Sequence, residues 1–449
     1  MKKVMQRTTS LLVLVAVLLA GLTLYIIRYI KDGASWVSFS ANRTAFTDGV
    51  LSVGRVTDRN GVILADIMDG KRTYADDETL RRAVLHAVGD ASGNIGTGAL
   101  SEFTTDLIGY NIVSGAYSID GLGGTLSLSI DAELNRAAYE ALDGRRGTVA
   151  VYNYETGEIV CMVSAPAYDP ADPPEISDGD ERYEGVYINR FLSSAYIPGS
   201  IFKLVTTAAA IENIDNLYDR FFTCEGSLTV GGDEITCLGT HGDIGIEEAL
   251  AVSCNCAYAQ IALELGADII ARYAEQYGLL SSVDVDGIAT AAGNFDKAGK
   301  GTANLAWSGI GQYNDTVNPC AMLRFVGAIA NGGEAADIKL KQKKGVLSFF
   351  PSGTQRIMET ATAEALNDMM NYNVYYSYGT DNYPGLEMYA KSGTAEVGGG
   401  NSPHAWFVGY IKNENNPFAF VVIVENGGYG STVGGAVANR VLQAVVEKD

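Results

Sequence analysis

The sequence predicts an α+β chain: an antiparallel sheet flanked by helices, preceded by a small N-terminal domain and one membrane-spanning helix. Three observations carry this. Apolar strand-like runs stand at both ends of the region after Arg146, with helical patterns between them, the arrangement expected of a sheet packed against helices. Residues 35 to about 144 are polar and glycine-rich with short strands. Leu11 to Ile27 is an apolar run without a charge. The division read from these features is a cytoplasmic tail and anchor over 1–34, a pedestal domain over 35–145 and a main domain over 146–449.

Taken in order, the anchor comes first. Leu11 to Ile27 approaches the length of a bilayer span once its polar flanks are included. Lys2, Lys3 and Arg7 precede it, whereas only Arg28 and Lys31 follow, which favours the N-terminus inside and the bulk of the chain outside. A cleaved signal peptide is the rival, but its apolar core is usually shorter and no A-x-A site follows. In the pedestal, Val53 to Asp66 reads as a hairpin turning at Asn60-Gly61, a strong turn dipeptide between apolar runs. Gly89 to Gly98 is a loop, and Asp131 to Leu142 an amphipathic helix leading into the main domain.

In the main domain, 148–154 and 158–164 read as paired strands, 200–213 as the central helix, and 388–394, 405–411 and 417–424 as further strands. Residues 434–447 have helical periodicity. Pro166 to Tyr187, rich in proline and aspartate, is predicted as a surface loop, and Tyr375 to Pro384 as a loop overhanging the site.

Composition agrees. The chain has 449 residues, 47% of them hydrophobic, enough to bury at least one large core. A formal charge of −21 argues against a nucleic-acid partner, whose phosphates would be repelled. The six cysteines show no metal spacing, so neither a metal nor another cofactor is expected. Cys224 and Cys237 flank the Gly231-Gly232 turn as a candidate bridge, while Cys254 and Cys256 read as small buried side chains. His86, His241 and His404 are far apart, and no G-x-S-x-G elbow accompanies them.

The chemistry lies in three short motifs. Ser200-Ile201-Phe202-Lys203 opens an apolar, alanine-rich stretch after the Pro198-Gly199 break. Ser253-Cys254-Asn255 follows, and Lys391-Ser392-Gly393-Thr394 comes far downstream. Each alone has a blander reading as a helix N-cap serine, a loop pair or a strand lysine. The middle motif is the weakest, since Ser40-Ala41-Asn42 and Ser92-Gly93-Asn94 match it too. Their combination and order point to a serine acyl-enzyme that uses lysines rather than a histidine. A serine hydroxyl needs a base, and a lysine serves only if desolvation and nearby cations lower its pKa. Positions i and i+3 of a helix share a face, so Lys203 is expected beside the Ser200 hydroxyl. Ser253 is the candidate proton relay, Asn255 the holder of a substrate amide, and Lys391 with Thr394 the carboxylate site. The backbone N–H groups of Ser200 and Thr394 are the candidate oxyanion donors. These residue types leave open which lysine or serine is the base.

The chain resembles the class B penicillin-binding proteins, monofunctional peptidoglycan D,D-transpeptidases. Beyond the three motifs, the likeness includes Asp58-Arg59-Asn60-Gly61, Asp131-Ala132-Glu133-Leu134, Thr156-Gly157-Glu158-Ile159, Asn189-Arg190, Gly309-Ile310-Gly311-Gln312 and His404-Ala405-Trp406-Phe407. Ser392 stands where many relatives have threonine, and Gly434-Gly435-Ala436-Val437-Ala438 lacks a proline often seen there. The resemblance implies the penicillin-binding transpeptidase fold. It also implies Ser200 as nucleophile, Lys203 as its partner, Ser253, Asn255 and Lys391 as further catalytic groups, and Ser392, Gly393 and Thr394 as substrate-binding residues. Expected ligands are peptidoglycan stem peptides and β-lactams. Nothing between residues 35 and 145 resembles a glycosyltransferase, so the resemblance implies a separate SEDS-family polymerase as membrane partner. Two rivals differ in class: a β-lactam hydrolase or sensor of the same fold, and a non-enzymatic wall-synthesis scaffold.

Overall fold

In the computed structural model of the chain, five antiparallel strands form the spine. They are β1 (Gly147–Asn153), β2 (Ile159–Ala165), β3 (Met388–Ala395), β4 (His404–Ile411) and β5 (Phe418–Val424), in the spatial order β2-β1-β5-β4-β3. The structure describes all residues except 44, 48, 112–114, 117–121, 343–352, 414 and 447–449. Each strand lies within a residue or two of its predicted span.

The strands are apolar almost throughout because both faces of the sheet are covered. Val149 and Val151 of β1, with Phe420, Val422 and Val424 of β5, belong to one core; Ala150, Tyr152, Val421 and Ile423 belong to the other. The period of two along a strand thus distributes one sequence run between two cores. Helices α1 (Lys2–Val37), α2 (Ala132–Leu142), α3 (Lys203–Asn213), α4 (Asn255–Leu265), α5 (Pro319–Ala330), α6 (Thr360–Asn373) and α7 (Gly435–Val446) carry the rest of the argument. The first core includes α3, α4 and α5 residues such as Val205, Ile261 and Phe325, and the second includes Leu134 and Ala138 of α2 and Val441 and Leu442 of α7. Position 447, the last of the predicted C-terminal helix, lies outside the described residues.

Helix α1 carries the apolar run, with a mean hydropathy of 2.7 over its most apolar window, and none of that window is buried against the protein. Among the described residues it is the one helix long and apolar enough to cross a membrane, which fits a single-pass membrane protein.

The N-terminal region forms a four-stranded sheet in which Arg55–Thr57 pairs antiparallel with Ile63–Met68 and parallel with Thr125–Ser127. The hairpin between the first two is tied to the start of α2 by Asp58. Its Oδ1 accepts from the N–H groups of Asn60 and Val62, both at 2.8 Å, and its Oδ2 from the N–H of Ala132 at 3.1 Å. Asp131 then caps α2 by accepting from Leu134 N at 2.9 Å. One aspartate therefore organises a turn and docks a helix.

Residues 166–187 depart from the predicted surface loop. They contain no strand or α-helix, but Ala167, Tyr168, Asp169 and Val186 are buried. Asp169 receives both arms of Arg81, at 2.7 and 2.6 Å, so the loop is clamped to the pedestal. After it, Arg190 donates to Glu425 Oε1 at 2.7 Å with the two side chains only 6% and 16% exposed, and Tyr196 donates to the same oxygen.

Removing one member of a buried pair leaves the other charge desolvated, so Arg190→Met is expected to destabilise the protein by about 3–5 kcal/mol. Arg220→Met breaks an exposed pair with Glu264 and is expected to cost about 1 kcal/mol or less. Denaturant unfolding of the two variants side by side checks the contrast, and equal losses would refute it.

Candidate active site

The three motifs meet at the free edge of β3. Ser200 does not begin an α-helix as predicted; it lies in a 3-10 turn, Gly199–Phe202, that precedes α3. The turn is forced by its surroundings. Gly199 has φ +58°, and a Cβ there would lie 2.8 Å from the carbonyl oxygen of Thr394, so only glycine lets the turn press against β3. From the other side, Gly199 N donates to Gly311 O at 2.8 Å, which gives the Gly309-Ile310-Gly311 stretch its role. Lys203 follows this turn directly as the first residue of α3.

Lys203 is fully buried, and its ammonium donates to three acceptors on the second motif: Ser253 O at 2.7 Å, Ser253 Oγ at 3.2 Å and Asn255 Oδ1 at 2.8 Å. Ser253 adopts φ +53° between helix Ile246–Ala251 and α4, a conformation unusual for a residue with a side chain. Asn255 donates through Nδ2 to Thr236 O at 2.9 Å, leaving its other amide hydrogen for a ligand.

Lys391 of β3 is also fully buried and donates to Ser253 Oγ and to Ser392 O, each at 3.0 Å. One hydroxyl therefore stands between two lysines. Burial holds Lys203 far below the ordinary lysine value, at about 7, against the opposing pull of the nearby cysteine sulfurs. Lys391 is also held well below the ordinary lysine value, first by burial and second by the charge of Lys203. Two ammonium ions sharing one dry hydroxyl repel, so the site favours having at least one of them neutral.

The edge of β3 is set by Tyr378. Ser392 N donates to Tyr378 Oη at 2.8 Å, and Tyr378 donates in turn to Ser392 Oγ at 3.0 Å. Strand amides alternate in direction, so the N–H of Thr394, two residues on, faces the same open edge and the Ser200 turn. Thr394 Oγ1 accepts from Gly430 N at 3.3 Å, which leaves its O–H to donate. Residues 375–384, predicted as an overhanging loop, begin as a helical continuation of α6 over Val374–Tyr378. Ser377 donates to Ala251 O at 2.6 Å, so this segment locks the second motif against β3 rather than hanging free. His404 packs edge-on against Tyr196 and accepts from Asn426 N.

Residues 147–447 match the family described as penicillin binding protein transpeptidase domain. The chain belongs to the class B penicillin-binding proteins. It is 28% identical over 360 residues to the peptidoglycan D,D-transpeptidase PbpA of Mycolicibacterium smegmatis, covering 73% of this chain and 72% of that protein. It is 27% identical over 351 residues to stage V sporulation protein D of Bacillus subtilis, covering 72% of this chain and 52% of that one. Among solved structures, penicillin-binding protein A from M. tuberculosis in a ceftriaxone acyl-enzyme complex superposes with a TM-score of 0.75 at 24% identity, covering 87% of this chain and 98% of that chain. That superposition establishes the fold, and the matched family makes this penicillin-binding protein a transpeptidase.

One group near the site was not anticipated. All six cysteines are free, and Cys224, Cys237 and Cys254 converge with His241 beside Ser253 and Asn255. The signal was present as Cys-x12-Cys-x3-His-x12-Cys, a spacing that matches no short ligand motif. By contrast, a polar cleft of about 600 Å³ near Arg324 and Asp286 contains none of the motif residues.

A lysine acting as base must be neutral. Acylation by a β-lactam is therefore expected to accelerate as pH rises through about 7 and to level off above it, because Lys203 loses its proton there. The measurement is the second-order rate of labelling by a fluorescent penicillin across that range. A rate that falls through neutrality would remove Lys203 from the role.

Proposed function

We propose that this transpeptidase cross-links peptidoglycan stem peptides through an acyl-enzyme on Ser200, with its catalytic domain outside the membrane. The observation that carries the reading is the Ser253 hydroxyl held between two buried lysines, beside the Ser200 turn and the open edge of β3. Ser200 Oγ attacks the carbonyl of the penultimate D-alanine, and its proton passes to neutral Lys203, directly or through Ser253. The N–H groups of Ser200 and Thr394 receive the developing oxyanion. Collapse expels the terminal D-alanine, whose nitrogen takes a proton relayed by Ser253.

Lys391 and the Thr394 O–H bind the terminal carboxylate, Ser392 and Gly393 shape the strand that lies along the peptide, and Asn255 holds a substrate amide. An amine from a neighbouring stem peptide then attacks the ester and restores Ser200. A β-lactam presents a strained amide beside a carboxylate and enters by the same route. Its adduct blocks the amine, and no separate carboxylate base for water hydrogen-bonds to Ser253 among the described residues.

Mass spectrometry after penicillin labelling is expected to place the adduct on the Ser200 peptide, and Ser200→Ala to abolish it. Lys203→Ala is expected to slow acylation by about 10²- to 10⁴-fold. Near-normal labelling of that variant would assign the base elsewhere. The penicilloyl adduct is expected to persist for many minutes, and turnover of a thioester stem-peptide mimic to rise with added D-amino acid. Rapid release of hydrolysed penicillin, indifferent to amine, would instead place the chain among β-lactam hydrolases.

The partner follows from the same reading. A cross-linking enzyme needs glycan strands made by another protein, and the exposed apolar helix α1 and the pedestal offer contact to a SEDS-family polymerase in the membrane. Replacing Leu11–Ile27 by an unrelated apolar span is expected to reduce the polymerase recovered with the solubilised full chain. Undiminished recovery would move the contact off the helix.

A further inference from the structure

The ligating atoms of Cys224, Cys237, His241 and Cys254 all lie within 4.8 Å of one another. Cys237 Sγ is 3.8 Å from Cys254 Sγ and 3.7 Å from His241 Nδ1, and Cys224 Sγ is 3.4 Å from the same nitrogen. A tetrahedral zinc ion with bonds of about 2.3 Å to sulfur and about 2.0–2.1 Å to nitrogen has edges of roughly 3.8 Å between sulfurs and roughly 3.6 Å between sulfur and nitrogen. The three separations of 3.8, 3.7 and 3.4 Å lie close to those edges, and the other three do not exceed 4.8 Å. They are far from the roughly 2.05 Å of a disulfide.

The four residues come from three places that the fold has to bring together. Cys224 ends a strand, Phe222–Cys224, that pairs with Gly242–Ile244 directly after His241. Cys237 follows the hairpin strand Asp233–Thr236. Cys254 lies inside the Ser253-Cys254-Asn255 motif itself. Backbone amides are already turned on two of the sulfurs: Asn255 N donates to Cys237 Sγ at 3.3 Å, and Ala257 N to Cys254 Sγ at 3.4 Å. Such amides stabilise the thiolate that a metal requires. Cys224 and Cys254 are buried, with Cys237 and His241 partly so.

We propose that Cys224, Cys237, His241 and Cys254 bind one zinc ion, which clamps the hairpins to the Ser253–Asn255 segment and so holds the acceptors of Lys203 in place. Soft thiolates with one imidazole select zinc, and four protein ligands leave no open position for water, so the ion is structural. Binding converts the three thiols to thiolates and releases their protons to solvent. These four are positioning residues, because they reach the reaction only through Ser253 and Asn255.

The test uses full-length, detergent-solubilised protein purified without chelator. Elemental analysis is expected to find about one zinc per chain, lost in Cys224→Ser and His241→Ala and kept in Cys320→Ala. Stripping the ion and adding cobalt is expected to give thiolate-to-cobalt charge-transfer and tetrahedral d–d bands, and restoring zinc to recover the acylation rate lost with it, by about tenfold or more. Metal-free protein whose intact mass shows disulfides, or zinc retained in both ligand variants, overturns the site. Zinc lost from the variants with acylation and its pH profile unchanged overturns the positioning role. The metal content and the cobalt spectrum do not depend on Ser200 being the nucleophile, so failure here is distinct from failure of the proposed reaction.

Discussion

Two lysine side chains with no exposure to water converge on one serine hydroxyl, and the remainder of the site is arranged so that this is tolerable. A buried ammonium is strongly disfavoured unless its donors are satisfied. Lys203 meets three oxygens and Lys391 two, and Ser253 Oγ is common to both. The same burial that makes the charges unfavourable lowers both pKa values, which makes a neutral amine available near neutral pH. An arrangement that is unfavourable for stability thus leaves a neutral amine beside the Ser253 hydroxyl.

Holding it requires elements that are distant in sequence to be stiff with respect to one another. The turn bearing Ser200 is pressed between β3 and Gly311, the Ser253 segment is pinned by Ser377 and Asn255, and the edge of β3 is fixed by Tyr378. The scaffold behind them is coupled too. Asp58 joins the pedestal hairpin to α2, Arg81 joins it to the loop at Asp169, and Arg190 joins the chain after that loop to the end of β5. The first core accordingly includes residues of the N-terminal sheet together with residues of the five-stranded sheet and its helices.

Much of this was legible in the chain. The strands of the sheet, the hairpin at Asn60-Gly61 and the helix capped by Asp131 follow from local patterns, because hydrophobic period, turn chemistry and capping each act over a few residues. The motif residues were legible for a different reason: acyl transfer by serine and lysine needs those types at those short spacings. Where the reading departed from the structure, packing had overridden local preference. Ser200 lies in a 3-10 turn because β3 and Gly311 crowd it, the acidic 166–187 segment is anchored because Arg81 reaches it, and 374–378 is helical because it wedges between two motifs.

The sequence by itself determined the fold class, the apolar N-terminal run and the three short motifs on which the transpeptidase reading rests, since these are properties of short segments. Tertiary structure alone decided which of three Ser-x-Asn copies meets Lys203, that β3 is an edge strand with the Thr394 amide facing outward, and that three cysteines and a histidine surround the second motif. Those outcomes depend on distances between segments tens to hundreds of residues apart, and only the closing of the chain around its cores fixes such distances.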